Sequence, residues 1–433
     1  MQRAVRTFMA LAALLPLPVL AGEVGDGLAQ RLYDGTLVQV QDETYAACDA
    51  GETDACFAAG MTELVTAVET FAQELYRYGA TTPGTPAAAM LFGMGVMDQG
   101  GEGAPANPHP EPLTYEALRV MLDSFVSGLD RARGRFETAG GSGDYVLMID
   151  PLRVRIDFNG DGSIGEAETL AAIIEPLGPW GEPQQDQPQG TGKSKQKSNP
   201  STPTAAAAIG FDRADAWWFA GYTQVVAAPI DLLLAHDFSQ FYAAYMHRIF
   251  PQAGLPMEEY SRGGTLFMDA ESDTFIADII AAIHTLRFPV SDGERLAGVL
   301  DRLTAIPELS RRNWDAILAE TDDNRELVPS PRQTSLLPDA EVTEATVAAW
   351  MATLDTVDQI LAGDLLVPHW RFVRGFDLAA YFNTAAETDV VMILTGQGAL
   401  PFLKDGPVAD GQSFAEANRV FGTDWINYVF WFN

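Results

Sequence analysis

The sequence predicts a mainly α protein in which two helical domains are joined by a disordered linker. The first observation is a helical period, because large apolar residues recur at three- and four-residue steps through 55–78 and again through 115–136. The second is the stretch 181–206, which is rich in Pro, Gln, Ser and Lys and has no large apolar side chain. The third is that only one segment has the apolar composition of a buried strand.

Residues 1–21 have the pattern of a secretory signal peptide. Arg3 and Arg6 precede an apolar run, and the run ends at Ala21 with small or modest residues at the positions that a signal peptidase reads. The run is shorter than the roughly twenty apolar residues that a membrane-spanning helix needs. We therefore expect cleavage after Ala21 and a periplasmic or secreted protein without an integral membrane segment.

Cys48 and Cys56 are the two cysteines of the chain. In an exported protein, two cysteines this close in sequence predict a disulfide, which here closes a turn between two helices. A redox or metal role is the weaker reading, because the spacing is not C-x-x-C and no histidine lies nearby in sequence.

The chain is strongly acidic, with a formal net charge of −32 at pH 7. Such a charge repels nucleic acid and attracts cations, so nucleic acid is excluded as a partner. The hydrophobic content of 47% is nevertheless that of a globular protein, which excludes a disordered acidic tail.

The predicted organisation after the signal peptide is a helical domain at 22–180, the linker at 181–206 and a second helical domain at 207–433. The second domain opens with a long apolar segment that Pro229 is expected to split, since proline removes a helical hydrogen bond. Further predicted elements are amphipathic helices at 270–286, 292–321 and 341–362, and a buried strand at 388–396.

Residues 157–168, with the sequence DFNGDGSIGEAE, carry the spacing of oxygen ligands around a cation. Position 6 of this stretch is Gly162, and position 8 is the aliphatic Ile164. The residues predicted to bind the ion are those at positions 1, 3, 5, 7 and 12, namely Asp157, Asn159, Asp161, Ser163 through its carbonyl, and Glu168.

This stretch resembles the EF-hand calcium-binding loop at its discriminating positions. The resemblance covers the loop and a predicted helix after it, and the rest of the chain is not recognised. It implies calcium as the bound ion, with Glu168 as a bidentate ligand. The segment before the loop allows only about one and a half helical turns from Pro151, which is shorter than the EF-hand pattern. A second loop is not expected, because 269–280 lacks both the glycine and the closing acid. We therefore predict a structural calcium ion.

Two other functions stay open. The acidic surface and the lysine-bearing linker fit a helical scaffold that binds a protein partner of unknown identity. A periplasmic enzyme with incidental calcium is the other alternative, in which His236 and His247 share a helical face. No catalytic motif is found among the five histidines or elsewhere.

Overall fold

A computed structural model of the 433-residue chain describes residues 21–36, 41–81, 107–165, 168–169, 208–335, 342–422 and 425–432. Most of these residues lie in helices and few lie in strands, so the mainly α fold class is confirmed. The signal peptide up to residue 20 and the linker at 181–206 lie outside the described residues.

The described residues before the predicted linker contain four α-helices. They are α1 (Ala21–Asp34), α2 (Gln41–Asp49), α3 (Thr53–Arg77) and α4 (Tyr115–Gly141). The last two are the helices predicted at 55–78 and 115–136. Helix α4 begins where the Thr114 side chain accepts a hydrogen bond from the Ala117 amide, which satisfies a free N–H of the first turn.

The predicted disulfide is present. Cys48 at the end of α2 and Cys56 in the first turn of α3 are bonded, with their Cα atoms 4.5 Å apart. Both residues are buried. The bond joins α2 to α3 across a three-residue turn, and structural disulfides of this kind are typical of oxidising compartments.

The described residues after the predicted linker contain ten further α-helices. They are α5 (Arg213–Leu234), α6 (Ser239–Tyr245), α7 (Pro256–Glu259), α8 (Ala270–Thr285), α9 (Gly293–Ala319), α10 (Glu344–Ala362), α11 (Leu378–Thr384), α12 (Val390–Thr395), α13 (Ala415–Phe421) and α14 (Trp425–Phe432). The predicted amphipathic helices correspond to α8, α9 and α10. Gly363 ends α10 in the left-handed conformation, as a glycine after a helix commonly does.

The strands are short and form three antiparallel pairs. The pairs are β1 (Leu147–Ile149) with β2 (Ile209–Phe211), β3 (Arg287–Pro289) with β5 (Glu387–Asp389), and β4 (Gly375–Phe376) with β6 (Leu403–Lys404). The first pair joins the chain before the linker to the chain after it.

Two predicted elements are wrong. Helix α5 continues through Pro229 to Leu234, because burial of α5 between α4 and α9 outweighs the local cost of the proline. The strand predicted at 388–396 pairs only at its start. The Asp389 side chain then caps α12 by accepting a hydrogen bond from the Met392 amide, and Gly396 ends that helix.

The main hydrophobic core draws side chains from both sides of the predicted linker. The Phe57 and Phe136 rings lie 5.6 Å apart, and Phe136 stacks on Phe219 of α5 at 5.2 Å. Further along the same core, Trp314 of α9 packs edge-to-face on Phe432 at 4.8 Å. The two predicted helical domains therefore share a core, and their independence as folding units stays a prediction.

Close packing of α3, α4 and α5 depends on two glycines. A Cβ atom at Gly60 would lie 2.8 Å from the Phe136 ring, and one at Gly140 would lie 2.5 Å from the Trp217 indole. Both distances are shorter than carbon atoms tolerate, so these positions let aromatic rings pack against helix backbone.

Helix α3 is long and apolar enough to cross a membrane by length and composition, with a mean hydropathy of 1.2 in its most apolar window. Half of that window is buried inside the protein. The same composition is found in helices that form a hydrophobic core, and Phe57 of α3 takes that role here.

An ion-pair network links α4, α5 and α9 inside the bundle. Asp231 of α5 is buried and accepts hydrogen bonds from the Arg295 Nε at 2.6 Å and the Arg302 Nε at 2.5 Å. The Arg302 guanidinium also donates two parallel hydrogen bonds to the Asp130 carboxylate of α4, at 2.6 and 2.7 Å. Such pairing is what allows a carboxylate to be buried.

Candidate metal centre

The predicted calcium loop is held at both ends by main-chain hydrogen bonds. The Arg155 amide donates to the Leu32 carbonyl at 2.9 Å, and the Ile156 amide donates to the Glu168 carbonyl at 3.0 Å. Arg155 also forms an antiparallel bridge with Thr169. The loop therefore starts and closes on a short extended pairing that packs against the end of α1.

The helix expected before the loop is a 3₁₀ turn at Pro151–Arg153, capped by the Asp150 side chain. It is shorter than the sequence-based expectation and is separated from the loop by extended residues. The helix predicted after the loop lies outside the described residues beyond Thr169. The described residues before the loop therefore lack the entry helix of an EF-hand.

Three of the predicted ligands organise the loop through their side-chain oxygens. Asp157 accepts hydrogen bonds from the Gly160 amide at 2.7 Å and the Gly162 amide at 3.0 Å. Two further bonds of this type run from the Asp161 amide to Asn159 Oδ1 at 2.8 Å and from the Ser163 amide to Asp161 Oδ1 at 2.7 Å. These hydrogen bonds fold residues 157–163 into a chain of tight turns.

The turn at Gly162 needs a glycine. Its φ is +75°, in the left-handed region that residues with a side chain adopt only at a cost, and Gly160 has a φ of +70°. These two backbone angles bring the Asp157 carboxylate over the amides of the loop.

Glu168 closes the loop from its far end. Its side chain is buried, and its two carboxylate oxygens accept hydrogen bonds from the Phe158 amide at 3.2 Å and the Gly165 amide at 2.8 Å. Each carboxylate oxygen offers a second lone pair, so these bonds leave capacity for a cation.

The sequence did not reveal that α3 supplies two more polar groups to the loop. Glu69 accepts a hydrogen bond from the Asp157 amide at 3.1 Å, and the Gln73 side chain donates to the Asp157 carbonyl at 2.9 Å. Glu69 and Gln73 are four residues apart, so they lie on one face of α3. The sequence therefore indicates that the two side chains are neighbours on α3. It does not indicate that they contact the loop.

Burial raises the pKa of the Glu69 carboxyl above its ordinary value. The hydrogen bond from the Asp157 amide opposes this rise, while the negative charges of Asp157 and Glu168 add to it. Glu69 thus brings a fourth acid to a region that already holds three, and a cation there relieves their mutual repulsion.

The residues fit a hard cation in type, since all the side-chain donors are oxygens. A tight metal site brings three acidic oxygens within about 5 Å of one another. Among the described residues, Asp157, Asp161 and Glu168 do not form such a group, whose oxygens would all lie within 4.8 Å of one another. Coordination of one ion by all three therefore requires the loop to tighten around it.

The acids that are gathered are Asp212, Glu320 and Glu326, with carboxylate oxygens within 4.8 Å of one another. Asp212 caps α5 and accepts a hydrogen bond from the Ala214 amide at 2.7 Å. Glu320 follows α9, and Glu326 accepts a hydrogen bond from the Asn324 amide at 2.9 Å. No local pattern in the sequence indicates this cluster, because its members are up to 114 residues apart in the chain.

The acidic cluster holds protons near neutral pH. Burial, and next the charge of Asp212, raise the pKa of Glu320 to about 9. Burial also raises the pKa of Glu326 to about 7, against the hydrogen bond from the Asn324 amide. Asp215, which is buried beside Asp212, has its pKa raised well above the ordinary value, first by burial. The cluster can thus share protons or accept a hard cation.

The free energy of unfolding is expected to fall as the pH rises from about 5 to about 9 in calcium-free buffer. The folded protein retains protons on Glu320 and Glu326 that the unfolded chain releases above its ordinary carboxyl pKa, so raising the pH favours unfolding. Thermal unfolding of the wild type and of Glu320→Gln at pH 5.5 and 8.5 measures this. The variant should have the flatter pH dependence, and equal slopes contradict the prediction. Glu344→Gln, at an exposed position, is the control.

His236 and His247 have separate sets of partners. The buried His236 ring contacts the Leu232 carbonyl at 2.6 Å and the Thr388 hydroxyl at 2.7 Å, and burial lowers its pKa. His247 instead contacts Asp278 at 3.0 Å. The helix that was expected to align these two residues ends at Leu234, so the predicted shared face is not formed.

Comparison with known proteins finds no matching family model, no matching curated protein and no similar solved structure. The fold and the sites therefore define the class: a mainly α, disulfide-bonded protein whose described residues include an acid-rich loop and a partly buried carboxylate cluster.

Proposed function

We propose that the protein binds one Ca²⁺ ion in the EF-hand-like loop at 157–168. The observation that carries the proposal is that the side-chain oxygens of Asp157, Asn159 and Asp161 are all held by backbone amides of the turns around Gly162. Backbone hydrogen bonds to acidic side chains preorganise a loop for a cation, and the carbonyl of Ser163 is the expected main-chain ligand.

Calcium is the ion that this donor set favours. Oxygen ligands disfavour zinc and copper, which prefer nitrogen and sulfur. A bidentate Glu168 raises the coordination number to about seven, which suits Ca²⁺ and does not suit the octahedron of Mg²⁺. A loop that must tighten around the ion fits the adaptable geometry of calcium better than the strict geometry of magnesium.

A structural role is supported by the way the loop is attached. Asp157 is bonded through its main chain to Glu69 and Gln73 of α3, and Arg155 is bonded to Leu32 of α1. An ion that orders the loop therefore also strengthens its attachment to both helices. Calcium sensors change the angle between the two helices that flank the loop, whereas a 3₁₀ turn precedes this loop.

The compartment supports the same proposal. The Cys48–Cys56 disulfide is typical of an oxidising environment, and the N-terminal pattern of residues 1–21 supports a periplasmic or secreted location. Calcium is more abundant outside the cytosol, so a dissociation constant on the order of 10⁻⁵ to 10⁻³ M is sufficient.

Titration calorimetry with calcium tests the proposal. The wild type should bind one ion, and Glu168→Gln should bind about tenfold more weakly or worse, since it loses an anionic bidentate ligand. Glu271→Gln is the matched control, because Glu271 is an exposed acid in the first turn of α8 and should leave the affinity unchanged. The proposal is wrong if calcium produces no binding heat with either the wild type or Glu168→Gln.

A further inference from the structure

Ten large apolar side chains within 257–283 are strongly exposed, which is half of all such side chains in the described part of the chain. We call these ten side chains the apolar surface. They are Met257, Tyr260, Leu266, Phe267, Met268, Phe275, Ile276, Ile279, Ile280 and Ile283. Where exposed apolar side chains of this number are contiguous, they mark an interaction site.

Five members of the apolar surface lie on one face of α8. They are Phe275, Ile276, Ile279, Ile280 and Ile283. Their steps of one, three and four residues place them in a single stripe of the helix. The opposite face is attached to the protein through a charge, because the buried Asp278 contacts Arg248 at 2.5 Å and His247 at 3.0 Å. The apolar stripe of α8 is therefore the face that the rest of the protein leaves exposed.

The loop before α8 continues the apolar surface. The amides of Leu266, Phe267 and Met268 all donate hydrogen bonds to the Asp273 carboxylate in the first turn of α8, at 2.8 Å for the Phe267 amide. These bonds hold the loop beside the helix, yet its three apolar side chains stay exposed, Phe267 by 85%. A loop that is ordered before a partner binds loses less conformational entropy on binding, so this loop is preorganised for an interface.

The apolar surface is large enough for a specific interface. Tyr260 and Phe267 are 79% and 85% exposed, and an aromatic side chain presents about 150–250 Å². These two side chains alone therefore present on the order of 300 Å², which is the lower end of the range for the largest apolar patch on a typical monomer. With its other eight members, the apolar surface approaches the roughly 800 Å² that each partner contributes to a standard interface.

Acidic side chains border the apolar surface. Residues 256–284 contain six acids, one arginine and no lysine. Arg248 compensates the charge of one of these acids, Asp278, from the buried side of α8. The five remaining acids are Glu258, Glu259, Asp269, Glu271 and Asp273. They alternate along the chain with members of the apolar surface, so a partner meets apolar side chains flanked by negative charge.

We propose that the apolar surface docks a cationic amphipathic helix of a partner protein. The apolar face of that helix packs on the isoleucines of α8 and on Phe267, and its lysine or arginine side chains face the bordering acids. Docking of an amphipathic helix on an apolar face is a recurrent mode of recognition, and aromatic and methionine side chains are enriched in interfaces. Helix α8 has 16 residues and is about 24 Å long, which sets the length of the partner helix.

Charge favours this partner over two others. A second copy of the protein would place two acid-bordered surfaces against each other, and the whole chain has a net charge of −32. An anionic membrane would meet the same five acids, which repel its headgroups. A cationic helix instead gains from the acids that border the apolar surface, and complementary charge also speeds association.

Fluorescence anisotropy with a synthetic helix tests the proposal on the full chain. The probe is a labelled peptide of the length of α8, with leucine on one helical face and lysine on the other. We expect saturable binding of one peptide per chain. Combining Phe267→Ser with Ile280→Ser should weaken this binding at least tenfold, and because both side chains are exposed, their loss leaves the fold intact. A peptide with glutamate in place of lysine should also bind at least tenfold more weakly.

A matched control makes the result specific. Val373→Ser combined with Leu394→Ser removes two exposed apolar side chains outside the apolar surface, and this variant should bind the leucine–lysine peptide as the wild type does. Circular dichroism verifies that both variants keep the helical content of the wild type. The proposal is overturned by an absence of saturable binding, by equal affinity in the wild type and in the variant at 267 and 280, or by equal affinity for the two peptides.

Two further measurements test the other occupants. Sedimentation velocity should show the same oligomeric state for the wild type and for the variant at 267 and 280. Vesicles of phosphatidylglycerol should not bind the protein. A dimer that the two substitutions dissociate assigns the apolar surface to a second copy, and vesicle binding assigns it to a membrane. Either result overturns the proposal.

Discussion

Saturating calcium is expected to raise the free energy of unfolding by about 2.7 kcal/mol when the free ion is at one hundred times its dissociation constant. The reason is mass action, since the unfolded chain does not gather the oxygens of Asp157, Asp161 and Glu168. Thermal unfolding in calcium and after removal of calcium with a chelator measures the shift.

Limited trypsin digestion gives a local readout of the same effect. Arg155 lies two residues before the loop, and its amide donates a hydrogen bond to the Leu32 carbonyl of α1. Calcium should slow cleavage after Arg155, because cleavage requires that attachment to open. A uniform change at all sites would instead indicate general stabilisation of the fold.

Three comparisons separate this effect from unspecific screening of an acidic protein. Glu168→Gln should show a calcium shift that is smaller by about 1.3 kcal/mol or more, because its affinity is at least tenfold weaker, while Glu271→Gln should keep the full shift. Magnesium at the same concentration should give a smaller shift, because it is a poor match for a bidentate ligand. A calcium response that is equal in the wild type and in Glu168→Gln contradicts a role for the loop.

Asp231→Ala is expected to destabilise the protein by about 3 kcal/mol or more. The substitution leaves Arg295 and Arg302 without the buried carboxylate that both contact, in the bundle of α4, α5 and α9. Arg302 keeps its contact with Asp130 and both arginines retain some exposure, which places the expected loss at the lower end of the usual range. Urea unfolding at pH 7 measures the difference.

The control for Asp231 is an ion pair on the surface. Asp355 contacts Arg311 at 2.8 Å, but its side chain is 69% exposed. Asp355→Ala should therefore change the free energy of unfolding by about 0.5 kcal/mol or less, since water screens exposed pairs. Equal losses in the two variants would show that burial of Asp231 is not the cause.

The helices could be predicted because their signals are local. The apolar periods at 55–78 and 115–136 produce α3 and α4 within a few residues, and Gly363 ends α10 where the sequence indicates. The errors at Pro229 and 388–396 have one origin. Local propensity includes neither the packing that keeps α5 helical nor the cap that Asp389 supplies to α12.

The loop at 157–168 could be predicted as a candidate cation site because its oxygens and glycines are close in sequence. Its surroundings could not. Glu69 and Gln73 reach Asp157 across more than eighty residues of chain, and only the folding of α3 against the loop brings them there. The 3₁₀ turn before the loop also depends on β1, which pairs with β2 from beyond the predicted linker.

The sequence by itself determined the helical class, the Cys48–Cys56 disulfide and the residues of the calcium proposal, because each depends on neighbours along the chain. The tertiary structure alone decided that Asp212, Glu320 and Glu326 form one cluster and that His236 and His247 do not. Packing also left the isoleucines of α8 exposed. These outcomes depend on contacts between distant segments, and a single sequence carries no local signal for them.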